Sequence, residues 1–71
     1  MRQIEMAAAR KNAGIRQDQM ARELGVSVNK VIDWEKGRKP VDSKERAEQY
    51  CKVCGFKLSE VRISYVGAIN S

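Results

Sequence analysis

The chain has no histidine and only two cysteines, Cys51 and Cys54. A structural zinc site takes about four ligands, and here there is no third cysteine to add. The C-x-x-C spacing also fits a thioredoxin-like redox motif, but that motif needs a βαβ setting that the sequence does not offer. Both cysteines fall on the apolar side of a helical pattern and read as core. A dimer-shared metal or a redox switch is the minor alternative, and no cofactor is expected. There is no G-x-x-x-x-G-K phosphate loop and no convergent set of acids, so the residues argue against an enzyme.

Long hydrophobic runs are missing as well. No apolar stretch approaches the roughly 18 residues that a membrane span needs. The opening Met1-Arg2-Gln3-Ile4-Glu5-Met6 lacks the apolar segment of a secretory signal. A cytoplasmic protein is therefore expected, with its cysteines as thiols. Repeats, linkers and low-complexity segments are also absent. With 71 residues, the chain has room for one domain that buries about 60% of its unfolded surface. Such a domain offers one binding surface and no deep catalytic cleft.

What the sequence has in excess is positive charge. Lys and Arg number 14 against 9 Asp and Glu, for a net charge of +5. Arginine is as frequent as lysine, and a guanidinium binds two phosphate oxygens at once. The balance points to a polyanion, with nucleic acid ahead of an acidic membrane surface.

Gly14, Gly25, Gly37 and Gly55 each follow a stretch of helical periodicity. Glycine just past a helix end supplies the left-handed residue that closes it. This punctuation predicts four helices. The first covers about 3–13, with Met6, Ala9 and Ala13 inward and Arg10 beside that face. The second covers about 17–24, with Met20, Ala21 and Leu24 inward. Ser27 caps the third, which runs to Lys36 with Val31 and Trp34 inward. A basic loop over 36–41 holds Pro40, the only proline. The fourth helix starts near Asp42 or Ser43, where Asp42 and Glu45 have capping-box spacing. Its inward residues are Ala47, Tyr50, Cys51 and Cys54.

A short fifth helix is expected near Ser59, with Leu58 and Val61 packing back. Residues 62–71 alternate in a pattern poor for a helix and read as a C-terminal tail or dimer arm. The expected fold is all-α: a compact bundle of four to five short helices, with a domain over 1–61.

The stretch QDQMARELGVSVNKVIDWEKG, residues 17–37, carries the most information. Two helices crossing steeply need a small residue at their contact, which Ala21 supplies. Their tight turn needs a positive φ, which Gly25 tolerates. Met20, Leu24, Val26, Val31 and Trp34 are spaced to meet the first helix. Here the sequence resembles the lambda-repressor-like (Cro/CI, or XRE) helix-turn-helix family. The pattern is met by Gln17, Met20, Ala21, Leu24, Gly25, Val26, Val31 and Trp34. The flanking AARKNAG, WEKG and GFKLSEV also look like family segments, so the resemblance covers roughly 6–61.

The resemblance implies a sequence-specific regulator, of phage or bacterial repressor type, that binds double-stranded DNA. The second motif helix would enter the major groove and the first would cross the backbone. Val28, Asn29 and Asp33 would then face base edges, with Ser27 and Lys30 at the groove margin. Asn29 can bond adenine twice, Val28 can pack on a thymine methyl, and Lys30 can reach guanine or phosphate. Asp33 makes sense if it accepts from a cytosine amino group, or if it pairs with Lys30 or Lys36.

In this family Gln17 holds a phosphate at a helix N-terminus. Members usually carry Ser or Thr just before it. Arg16 stands there instead, losing the cap and adding charge near the backbone. Lys36, Arg38 and Lys39 form the densest basic cluster and would bind phosphates without reading sequence. Arg10 and Glu35 occupy positions that related repressors often pair, which implies a structural ion pair. Ile32 lies outside the core stripe, and Trp34 belongs to it. Domains of this kind usually act as homodimers on palindromic operators. No small-molecule ligand or membrane partner is expected. The alternative is a protein-binding module, antirepressor or antitoxin-like, that keeps the fold without reading DNA.

Overall fold

The computed structural model describes residues 2–67. Its elements are β1 (Ile4–Glu5), α1 (Met6–Asn12), α2 (Gln17–Leu24), α3 (Val28–Lys36), α4 (Lys44–Cys54), a 3-10 turn (Leu58–Glu60) and β2 (Val61–Arg62). The domain is mostly helical, built on four short helices with one small strand pair.

Each helix presents a narrow apolar face to one core. Met6 and Ala9 come from α1; Met20, Ala21 and Leu24 from α2; Val31 and Trp34 from α3; Ala47, Tyr50, Cys51 and Cys54 from α4. Val41 and Val61 complete it. The helical period of about 3.6 residues aligns these side chains, and their removal from water holds the bundle together.

The four helices close in the same way. Gly14, Gly25, Gly37 and Gly55 all have positive φ, and the amide one residue further on reaches back into the helix. Ile15 N–H donates to the Arg10 carbonyl, Val26 to Ala21, Arg38 to Asp33 and Phe56 to Cys51. This is the Schellman closure, which ties down carbonyls that the helix leaves free.

The ends of the domain depart from the sequence expectation. The first helix begins at Met6, because Ile4 and Glu5 form a strand instead. Ala13, expected inward, is exposed beyond the helix end. At the fourth helix the cap is Ser43, whose Oγ accepts from the Arg46 amide at 3.1 Å. Asp42 lies outside the helix, and its capping box with Glu45 does not form. The expected fifth helix is a single 3-10 turn, although Leu58 and Val61 do pack back on the core.

β2 pairs in parallel with β1, Ile4 opposite Val61 and Glu5 opposite Arg62. Further on, Val41 bridges Tyr65: its N–H donates to the Ser64 carbonyl at 2.8 Å, and its carbonyl accepts from Val66 at 2.9 Å. The expected boundary between 61 and 62 thus falls inside a strand. The alternation after residue 61 is that of extended chain, and residues 62–66 attach to their own domain. Residues 68–71 of the expected arm lie outside the described residues. Among the described residues, no helix is long and apolar enough to cross a membrane.

Candidate nucleic-acid interface

Two helices joined by a three-residue turn make the site. Ala21 and Leu24 of α2 are buried, so the backbones approach closely where the helices meet. Gly25 turns the chain with φ +70°, a conformation costly for a residue with a Cβ. Val26 then packs against the core. Ser27 starts α3, its Oγ accepting from the Lys30 amide at 3.3 Å. That bond satisfies one of the free amides at the helix start and fixes where the helix begins.

Val31 and Trp34 anchor α3 in the core and the Glu35 side chain is buried beside them, which leaves the other side of the helix toward solvent. Val28, Asn29, Lys30 and Lys36 are exposed; Ile32 and Asp33 are half-buried. Asn29 and Asp33 stand one helical turn apart on one side, so the fold brings these two together.

The charged residues beside them are largely engaged within the protein. Asp33 pairs with neither Lys30 nor Lys36. Its partner is Arg38, Nη1 to Oδ1 at 3.5 Å. Lys30 reaches away from it to Asp42, at 2.8 Å. Asp42, read from sequence as a helix start, thus ties α3 to the segment before α4. Lys36 and Lys39 are exposed and form no ion pair among the described residues. Arg16 turns onto Asp18 at 3.0 Å, and its own amide donates to Gln19 Oε1 at 2.9 Å. Gln19 therefore supplies its own half of a capping box, while Arg16 has no oxygen with which to accept from the Gln19 amide as a Ser or Thr there would.

Behind the interface lies a buried polar centre on Glu35. Arg10 donates to it twice, Nε to Oε2 at 2.7 Å and Nη2 to Oε1 at 3.1 Å. Gln17 Nε2 donates to Oε1 at 3.1 Å, and the Tyr50 hydroxyl to Oε2 at 2.6 Å. The side chains of Arg10 and Glu35 are 8% and 4% exposed. Burial alone would raise the Glu35 carboxyl; donation by Arg10, Tyr50 and Gln17, with the charge of Arg10, outweighs it and holds the group below its ordinary value. The bond to Glu35 raises Arg10. Burial first, and then the bond to Glu35, push the Tyr50 hydroxyl up.

Gln17, assigned from sequence to a phosphate, is therefore half-buried and tied to this centre through its amide. Sequence reasoning missed Tyr50 as a member. The available signal was that a buried tyrosine hydroxyl needs a partner, and Glu35 was already assigned to a structural ion pair with Arg10. Cys51 and Cys54 are buried, and burial pushes both thiols up to about 11. Thiolates are scarce at such values, so neither is primed as a nucleophile or ligand.

These features define a helix-turn-helix protein, with α2 and α3 as the motif. In comparison with known families, residues 4–62 match the helix-turn-helix domain. The chain belongs to that family, whose membership points to a DNA-binding regulator. Neither the curated proteins nor the solved structures gave a match.

Proposed function

We propose that this protein is a sequence-specific, DNA-binding transcriptional regulator of the Cro/repressor type, reading the major groove with α3. The observation that carries the reading is the outward face of α3. It presents Val28, Asn29 and Asp33 on a helix whose other side is locked into the core, next to the exposed Lys36 and Lys39. Asn29 is a donor–acceptor side chain suited to an adenine edge, and Val28 suits a thymine methyl. On this reading the exposed Lys36 and Lys39 bind the phosphates that flank the inserted helix, and the exposed Ser27 and Arg16 add phosphate contacts. Gln17 spends one amide hydrogen on Glu35 and has a second to give a phosphate.

The reading extends to a cytoplasmic homodimer on a palindromic operator, with half-sites about 34–36 Å apart. It requires neither catalysis nor a cofactor.

Selection from randomised duplexes, followed by titration of variants on the selected duplex and on random DNA, tests this. Asn29→Ala should weaken binding to the selected duplex by about 5- to 150-fold, the value of one bidentate base contact. Random DNA should be unaffected. Lys39→Ala should weaken both alike and reduce the salt slope by about 0.9. Failure to bind any duplex at micromolar protein in low salt would refute the reading. It would favour the protein-binding module, the alternative that the internal pairing of Lys30, Asp33 and Arg38 supports.

A further inference from the structure

The four helices share one backbone closure, but the side chain that follows the glycine differs at α3. In a Schellman closure the residue after the glycine lies over the residue that its amide reaches, and an apolar contact usually accompanies it. Ile15, Val26 and Phe56 occupy that place after α1, α2 and α4, and all three pack against the core. After α3 the place is taken by Arg38, and the residue beneath it is Asp33. The backbone bond between them, Arg38 N–H to the Asp33 carbonyl, is 2.9 Å. Gly37 at φ +75° thus delivers a guanidinium to the one carboxylate on the outward face of the motif helix.

The side-chain pair is loose. It spans 3.5 Å, with Arg38 62% and Asp33 25% exposed. A pair this open in solvent is weakly held and exchanges with other anions. Among the described residues Asp33 has Arg38 as its one ion-pair partner: Lys30 is held by Asp42 at 2.8 Å, and Lys36 forms no ion pair.

We infer that Asp33 and Arg38 form an exchangeable pair that makes phosphate binding by Arg38 conditional on the base opposite Asp33. The inference rests on the DNA-reading role of α3. Where guanine or thymine is the base facing Asp33, moving Arg38 to a phosphate leaves Asp33 as a bare carboxylate against acceptors, guanine N7 and O6 or thymine O4, so the pair stays closed. Opposite a cytosine or adenine amino group, Asp33 accepts a hydrogen bond from the base. Arg38 is then free to take a phosphate. Asp33 acts as a specificity-determining residue by penalising the wrong base pair, and Arg38 converts the right one into added affinity.

The test is fluorescence anisotropy of the full chain between about 50 and 200 mM salt, on the selected duplex and on the same duplex with its base pair swapped to put guanine or thymine opposite position 33. It compares wild type, Asp33→Asn, Arg38→Ala and the double variant, each checked for folding by thermal melt. On the swapped duplex, Arg38→Ala should leave the wild-type salt slope unchanged. Asp33→Asn should steepen it by about 0.9, the value of one phosphate contact, and adding Arg38→Ala should remove that increment. On the selected duplex, Arg38→Ala should lower the slope by about 0.9 even with Asp33 in place. Swapping the base pair opposite position 33 should cost wild type about 5- to 150-fold and Asp33→Asn about twofold or less.

The inference is overturned if Arg38→Ala lowers the slope equally on the swapped duplex in both backgrounds. It is also overturned if Asp33→Asn keeps the full base preference. Absence of binding by every form, wild type included, instead removes the DNA-reading role itself.

Discussion

Glu35→Ala is the substitution to which this fold should be most sensitive. The carboxylate accepts four hydrogen bonds, two from Arg10, one from Gln17 and one from Tyr50. Without it, Arg10 keeps only the Ile15 carbonyl, to which Nη1 donates at 2.9 Å. Its charge then stands unpaired in a site where its side chain is 8% exposed. Tyr50 can turn its single proton to the Met6 carbonyl, which lies 2.9 Å from the hydroxyl. Breaking a buried pair from one side costs about 3–5 kcal/mol, chiefly because the remaining charge is uncompensated. Domains hold about 0.05–0.15 kcal/mol of stability per residue, so this loss is a large part of the total here. At the lower limit of about 4 °C per kcal/mol for a domain of this size, Tm should fall by at least about 12 °C.

Thermal unfolding followed by circular dichroism, with urea unfolding at 25 °C, measures both quantities. A companion variant separates charge from packing. Arg10→Met with Glu35→Leu removes both ions together and should be more stable than either single change. A Glu35→Ala protein melting within about 4 °C of wild type would refute the reasoning, since it would mean a cost below about 1 kcal/mol.

Two further outcomes concern stability. Because Glu35 sits below its ordinary value of 4.5 in the folded protein, the unfolded chain takes up its proton first as pH falls. The stabilisation is therefore complete above that value and is lost as pH drops through the lower folded one. Melting curves from about pH 6 to about pH 2 should show this decline in wild type, and Glu35→Gln should flatten it. Ser27→Ala should cost about 1 kcal/mol in urea unfolding, by freeing the Lys30 amide at the start of α3, whereas Ser27→Gly should cost only a few tenths.

Much of the architecture was legible because it follows from local rules. The four glycines mark helix ends, since a left-handed residue is needed wherever these helices close. The inward faces of the second, third and fourth helices follow from the helical period, and every residue read there is buried. Ser27 needed only its own helix to act as a cap. The motif over 17–37 could likewise be read in one dimension, because a helix, a three-residue turn and a second helix are contiguous in the chain.

Where partners are distant in sequence, the sequence was silent or misleading. Ile4 forms a strand because Val61 lies beside it, 57 residues away, and the same pairing shortens the first helix. The chain after 61 looked like an arm because its alternation shows extended backbone without showing what it pairs with. Ser43, rather than Asp42, caps the fourth helix, and Asp42 meets Lys30 from the preceding helix. Asp33 found Arg38 beyond the helix end, not a lysine on its own helix, because the turn at Gly37 folds that residue back.

The sequence by itself determined the second, third and fourth helices and their core faces, since these depend on period and near neighbours, and the family resemblance added the outward set Val28, Asn29 and Asp33. Tertiary structure alone decided which charges on and around that face are already spent. Gln17 is tied to Glu35, Lys30 to Asp42 and Arg38 to Asp33, because an ion pair or hydrogen bond depends on where two side chains end in space, which no spacing along the chain records.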